Sequence, residues 1–182
     1  MKNTLRMIPL DEIVVFPGMD LTLPLDTGAQ DTVVLVPRRG NEYSKVGVVA
    51  KVKERVRLPG IGSAVAISGL HRAIVGAAEA LVDGGLQAQF EPHPDVNPAP
   101  VATAELDREY RAIVHEILEL RGDDGRIAAF LRGITDAGAL ADTSGYSPDL
   151  TFEQKVKLLE TLDVVERLKL AIELQRGRLM EL

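Results

Sequence analysis

Apolar and polar residues alternate along much of the first half of the chain. Within residues 45–57, one face of a predicted strand carries Val46, Val48, Ala50 and Val52, and the other face is basic. The turn-forming residues 58–63 follow, and an apolar strand returns over residues 64–75. This arrangement predicts a long hairpin with one buried face.

Two further strands are predicted in the same half. Residues 33–36 are a short, wholly apolar run, and a run of that length is more typical of a buried strand than of a helix. Residues 86–91 alternate again. Five or six short strands of this kind favour a compact closed or half-open barrel.

The hydrophobic period changes at a proline-rich segment. Residues 92–100 contain four prolines, which fix the backbone and remove hydrogen-bond donors, so the segment suits neither a helix nor a central strand. We therefore predict a β-rich part over residues 1–91, a linker over residues 92–102 and a helical part over residues 103–182. The predicted fold class is α+β, with a small antiparallel β barrel followed by a helical bundle.

Beyond the linker, apolar residues recur at helical spacing. A first helix is predicted from the N-cap Thr103 to Gly122, with one apolar stripe along it. A second, shorter apolar stripe is formed by Ile127, Phe130, Leu131 and Ile134. Both stripes are expected to face a core.

The last part of the chain is predicted to be helical as well. Thr151 and Gln154 fit a capping box at a helix start. Asp163 is a further candidate cap, so the chain either bends there or continues as one helix. Residues 175–182 are expected to lack partners within the chain and to connect it to something else.

Charge and composition limit the kinds of partner that we expect for this protein. The net charge is −6, and residues 101–182 hold eleven basic against sixteen acidic residues. Nucleic acid is not expected as a partner, because binding its phosphates needs clustered positive charge. No signal peptide and no membrane-spanning run is predicted, and the absence of cysteine suits a reducing cytoplasm, where we expect the protein.

No catalytic, cofactor or metal site is predicted. The three histidines lie 22 residues apart in unrelated contexts, whereas zinc sites usually include a close ligand pair. Neither a Gly-x-x-x-x-Gly-Lys-Ser/Thr phosphate loop nor a Gly-x-Ser-x-Gly motif is present. The chain by itself is therefore expected not to be an enzyme.

Three segments carry a resemblance to a known family. The first is Ile8-Pro9-Leu10 with Ile13-Val14-Val15-Phe16-Pro17-Gly18-Met19, the second is the hairpin of residues 46–74, and the third is the helical run of residues 151–168. In this order and spacing, from about residue 7 to the end, the chain resembles the amino-terminal domain of the ATP-dependent Lon proteases.

The resemblance implies a PUA-like pseudo-barrel followed by a helical bundle with a long carboxyl-terminal connector helix. It implies substrate recognition and assembly in protein quality control, within a bacterial Lon-type protease. That parent would be an ATP-dependent AAA+ serine endopeptidase, a homohexamer using ATP and Mg, with none of these cofactors held by this chain. The alternative is a free-standing Lon-domain module that binds proteins without ATPase or protease activity. A small-molecule enzyme is a third reading, which would need a concave polar cluster.

Apolar residues in turns are the candidate binding site for unfolded or damaged proteins. A loop exposes its side chains unless something covers them, and unfolded substrates differ from native ones by their exposed apolar groups. The candidate substrate-binding residues are Phe16, Met19, Leu58 and Ile61. For Phe16, a buried plug at the strand end is an equal alternative.

Overall fold

A computed structural model describes residues 3–182, and the chain in it forms two units, Met1–Pro94 and Asp95–Leu182. The described part of the first unit contains seven strands: β1 (Asn3–Asp11), β2 (Asp20–Leu23), β3 (Thr32–Arg39), β4 (Glu42–Tyr43), β5 (Val46–Leu58), β6 (Gly62–Ala80) and β7 (Leu86–His93). The second unit contains five α-helices and a 3₁₀ turn: α1 (Pro100–Arg121), α2 (Arg126–Arg132), α3 (Ala137–Asp142), the 3₁₀ turn Thr143–Tyr146, α4 (Phe152–Glu160) and α5 (Val164–Met180).

The strands of the first unit close into a barrel. Their order is β1-β7-β6-β5-β3-β4, β2 pairs with β6, and β1 also pairs with β3, which closes a ring of five strands. All pairs are antiparallel except β1 and β3. The predicted α+β fold, with a pseudo-barrel followed by helices, is confirmed.

The barrel is organised around β3, which is buried on both faces. Val33 and Leu35 belong to one hydrophobic cluster, whereas Val34 and Val36 belong to another. The sheet therefore separates two cores, and the apolar run in the sequence has no polar residue because neither face of the strand meets water.

The proline-rich segment is shorter than the sequence predicts. Strand β7 extends to His93, with Pro92 opposite Ala73, and α1 begins at Pro100, so only residues 94–99 lack regular structure. Thr103 is not the N-cap but a buried residue inside α1. Proline is well tolerated at the first position of a helix, where its missing N–H has no helical partner in any case.

The helix ends in the second unit follow the local sequence closely. Gly122 ends α1 in the left-handed conformation, at φ 71°. Thr151 and Gln154 form the predicted capping box of α4. The chain bends before α5, where the Asp163 carboxylate accepts a hydrogen bond of 2.9 Å from the Glu166 N–H.

A buried ion cluster joins the start of the second unit to its last helix. The Arg167 side chain has no exposed surface; its guanidinium donates to both Asp95 carboxylate oxygens, at 2.8 and 2.9 Å, and lies 3.6 Å from Asp142. Burial alone would lower the pKa of Arg167, but the bonds to Asp95 and the charge of Asp142 outweigh it and raise that pKa. Asp95, the first residue of the second unit, is thereby fixed to α5.

Replacing Arg167 with methionine should destabilise the helical unit by about 3–5 kcal/mol, because buried Asp142 and largely buried Asp95 lose their counter-charge. The measurement is urea unfolding followed by the helical circular dichroism signal. Lys169→Met is the matched control, since Lys169 and Glu166 form an exposed pair, and it should cost less than about 0.5 kcal/mol. Equal losses in the two variants would contradict this account of Arg167.

Candidate functional site

Phe16 is buried in the β unit and not exposed in a loop. Its side chain has 0% exposure, and the Arg72 guanidinium lies 6.0 Å from the centre of its ring. Of the two alternatives left open for Phe16, the buried plug is the one that agrees with this burial. Ile13 and Glu12, just before this segment, face solvent, so the chain turns inward only at Val14.

Met19 is half-buried, and the same turn holds it in place. It packs against the cluster formed around Val33 and Leu35, and its sulfur accepts a hydrogen bond of 3.1 Å from the Phe16 N–H. Only part of this side chain is available to a partner.

Gly69 on β6 allows the turn of residues 16–19 to lie against the barrel. It accepts from the Gly18 N–H and donates to the Met19 carbonyl, each at 2.9 Å. A Cβ at Gly69 would lie 2.5 Å from the Phe16 carbonyl oxygen, so no larger residue fits without moving backbone. The two hydrogen bonds and the lack of a side chain at Gly69 therefore fix where the turn lies along β6.

Leu70 is exposed beside this turn because β6 bulges there. Val49 on β5 lies opposite His71 and Ala50 lies opposite Gly69, which leaves Leu70 as the extra residue. The side chain is 49% exposed. Sequence reasoning missed Leu70, although a glycine inside a strand pattern, here Gly69, is the known signal of a bulge.

The second predicted loop is the tip of the β5–β6 hairpin. Its turn is closed by a hydrogen bond of 3.1 Å from the Ile61 N–H to the Leu58 carbonyl. Ile61 is 63% exposed, whereas Leu58 is half-buried. Ile61 is thus the member of the predicted set that is most open to solvent.

The predicted residues do not form one surface. Met19 is fixed beside Gly69, and Ile61 adjoins Gly62 at the other end of the same stretch of β6. The seven residue steps from Gly62 to Gly69 span roughly 23 Å of strand. Two separate apolar positions result: the bulge surface, Met19 with Leu70, and the hairpin tip, Leu58 with Ile61. Whether either binds substrate stays a prediction.

Other kinds of site find little support in the described part of the chain. Among residues 3–182, no group of three or more His, Asp or Glu side chains is arranged to hold a metal ion. No helix in that range combines the length and apolar character needed to cross a bilayer.

Comparison with known proteins places this geometry in a family. Residues 4–176 match the family model described as the ATP-dependent protease La (LON) substrate-binding domain. The chain belongs to this family. It is 38% identical to a Lon protease of Salinispora arenicola and 36% identical to one of Chloroflexus aurantiacus, over 98% and 92% of the chain.

A solved structure agrees with the Lon assignment. The N-terminal domain of the Mycobacterium avium complex Lon protease superposes with a TM-score of 0.83 at 30% identity, covering 96% of this chain and 98% of that one. The two Lon relatives are much longer, since the alignments cover only 22% to 24% of their lengths. What is established for this chain is therefore a Lon substrate-binding domain.

Replacing Gly69 with alanine should destabilise the barrel by about 1–3 kcal/mol, because the new Cβ meets the Phe16 backbone. Thermal unfolding by circular dichroism measures the loss. Gly177→Ala is the matched control: Gly177 lies inside α5 with nothing within 4 Å of an added Cβ. This control should gain up to about 1 kcal/mol from helix propensity. A neutral Gly69 variant would show that the turn is not held against β6.

Proposed function

We propose that this domain captures unfolded or damaged protein segments for a bacterial Lon-type ATP-dependent protease, through exposed apolar side chains on its β unit. The observation that carries the proposal is Ile61, a large apolar side chain 63% exposed at the tip of a thirteen-residue strand β5. Turns favour glycine and polar residues, and the isoleucine at this tip is an apolar side chain that a partner can reach.

The bulge surface offers a second contact of the same kind. Strand register holds Leu70 outward, and a hydrogen-bonded turn fixes the half-buried Met19 beside it, so neither has to rearrange before it meets a substrate. Methionine adapts to side chains of varied shape. Such positions recognise the apolar character of a client segment and not a particular sequence, which suits a domain that must accept many damaged proteins.

Contacts of this size are weak one at a time. Burying one such side chain contributes about 1.5–3 kcal/mol, whereas even a millimolar complex needs about 4 kcal/mol. A homohexamer of the full-length protease would bring six copies together and raise their effective concentration. The ATPase and the serine protease activity belong to the rest of that proposed parent, to which α5 leads.

The expectation that residues 175–182 lack partners within the chain is wrong for the first part of this segment. Gln175 is 1% exposed and donates to the Ser144 hydroxyl at 3.0 Å, and Arg178 donates to Asp149 at 2.7 Å. The helix is held by its own unit up to Arg178, because these polar side chains reach across to the 3₁₀ turn and the loop that follows it. Only Met180 and Leu182 remain exposed apolar residues there.

Serine at both Ile61 and Leu70 should weaken binding of an unfolded client by at least about fivefold, since each change removes apolar contact worth roughly 1 kcal/mol or more. The probe is fluorescently labelled α-lactalbumin, reduced and alkylated so that it cannot fold, measured by anisotropy against the 182-residue chain. The melting temperature should stay close to that of the parent chain, because both side chains are exposed.

Two controls make the result specific. Val101→Ser removes an apolar side chain that is 85% exposed on α1, and it should leave binding unchanged. Native α-lactalbumin should bind none of the variants. Unchanged affinity for the unfolded client in the Ile61 and Leu70 double variant, with folding intact, would refute capture by these loops.

A further inference from the structure

The β unit contains a polar pocket that its exposed apolar residues do not explain. The pocket lies between residues 25–28, in the loop after β2, and residues 55–57 and 63–65 of the β5–β6 hairpin. All of its lining belongs to Met1–Pro94. Its volume is about 290 Å³, at the lower limit of ligand-binding pockets, so it suits a small molecule.

A β-bulge in β5 places arginines beside this pocket. The alternation in the sequence predicts one basic face along residues 45–57, but the register of β5 against β6 shifts just after Val52 and leaves Lys53 as an extra residue. Beyond the shift, Arg57 lies directly opposite Ser63, and residues opposite each other project to the same face of a sheet. The predicted basic face is therefore divided at Lys53, and the arginines beyond it line the pocket.

The loop that forms the other wall is fixed to β5, mainly by Arg55. The Arg55 Nε donates to the Gly28 carbonyl at 3.2 Å, and a terminal nitrogen donates to the Gln30 carbonyl at 2.6 Å. The Val52 N–H donates to the Asp31 carbonyl at 2.8 Å, and the Asp31 carboxylate lies 3.7 Å from the Arg55 guanidinium. The pocket is therefore formed before a ligand binds, and Arg55 is already occupied.

Two charged side chains of the lining have no ionic partner. Among residues 3–182, the Arg57 guanidinium takes part in no hydrogen bond and no ion pair. The Asp26 carboxylate accepts a hydrogen bond of 2.8 Å from the Gly28 N–H through one oxygen, and no cation of that range pairs with it. The pocket thus carries one free positive charge on β5 and one free negative charge on the loop.

Hydroxyl groups complete the polar part of the lining. Ser63 is exposed at the hairpin, opposite Arg57. Thr27 is 1% exposed, and its hydroxyl has no hydrogen-bond partner within the part of the chain that the structure describes. A buried hydroxyl without a partner is unfavourable and uncommon in proteins, and a ligand oxygen beside Thr27 would remove that cost.

These groups select against a ligand with a single charge. An anion would be attracted by Arg57 but repelled by Asp26, and a cation would meet the reverse pair of forces. A wholly apolar ligand would leave the polar groups without partners. A ligand with one charge of each sign matches both side chains, and Leu25 and Val65 offer apolar contact for the rest of it.

We propose that this pocket binds a small zwitterion, a free amino acid or a dipeptide with an apolar side chain. Arg57 and the hydroxyls of Ser63 and Thr27 donate to its carboxylate, and Asp26 accepts from its ammonium group. Leu25 contacts the apolar side chain. The site goes beyond the proposed capture of unfolded segments and does not depend on it.

The test is a nuclear magnetic resonance titration of the isotopically labelled 182-residue chain with leucine and with alanyl-leucine. Both probes should shift amide signals of residues 25–28 and 63–65, and the one that binds more tightly reports the spacing of the two charges. Alanyl-leucine with an acetylated amino group, or with an amidated carboxyl group, should bind about fivefold more weakly, because each modification removes one exposed ion pair.

Conservative variants test the named residues. Arg57→Gln and Asp26→Asn should each weaken binding about fivefold, and the asparagine can still accept from the Gly28 N–H, so the loop keeps its shape. Thr27→Val removes the unpartnered hydroxyl and should weaken binding without lowering the melting temperature. Lys51→Gln is the matched control: Lys51 is an exposed cation on β5 outside the pocket, and its loss should leave binding unchanged.

A combined measurement assigns the carboxylate to its partner. The amidated dipeptide has no carboxylate, so Arg57→Gln should weaken its binding no further, although the same variant weakens binding of the unmodified dipeptide. An equal loss for both forms would overturn the assignment of Arg57 to the carboxylate.

The remaining outcomes separate this site from the capture of unfolded protein. Equal binding of free and capped dipeptides, amide shifts confined to other residues, or no binding of either probe would overturn the zwitterion site. Loss of unfolded α-lactalbumin binding in Arg57→Gln, without dipeptide binding by the parent chain, would assign Arg57 to client capture and overturn it as well. The Ile61 and Leu70 double variant should bind both probes as the parent chain does, so failure of the proposed function would be seen separately.

Discussion

Closure of the barrel through β1 is the constraint on which the first unit depends. The strand pairs with β7 through residues 3–7 and with β3 through residues 7–11, so it completes a ring that β5 and β6 alone would leave open. The pairing with β3 is parallel, and parallel neighbours cannot be joined by a tight hairpin. The chain must therefore cross from the end of β1 to the start of β3, and the crossing contains Phe16, Met19 and β2.

That crossing explains why one loop side chain is buried while its neighbours are not. The segment is anchored to the barrel because the Phe16 side chain is fully buried and Gly69 leaves room for the Phe16 backbone against β6. The bulge at Leu70 follows directly after Gly69, so the close approach and the outward leucine belong to one irregularity in β6. Closure of the barrel, burial of Phe16 and exposure of Leu70 therefore depend on one another.

The helical unit reaches the same property, exposed apolar surface on a rigid frame, by other means. Arg167 neutralises buried carboxylates and Arg111 donates to the carbonyls of Leu131 and Ile134, so charge and hydrogen bonding fix positions that apolar packing would otherwise have to fix. Apolar side chains are then free to remain uncovered. Such surface is a liability in an ordinary monomer, and under the proposed function it contacts unfolded client segments.

The sequence by itself determined the α+β architecture, the buried strand around Val33–Val36 and the helix boundaries at Gly122 and Thr151, because these depend on local periodicity and capping chemistry. Three segments of sequence indicated the family, whereas the bend at Asp163 was one of two alternatives that the sequence left open. It did not determine which apolar turn residues face solvent. Phe16 and Ile61 look alike in the sequence, yet one is a plug and the other a hairpin tip. Strand register leaves Leu70 exposed, and the packing of the short helix α2 leaves Ile127 and Phe130 exposed. Those are relations between distant segments, and only the tertiary structure decides them.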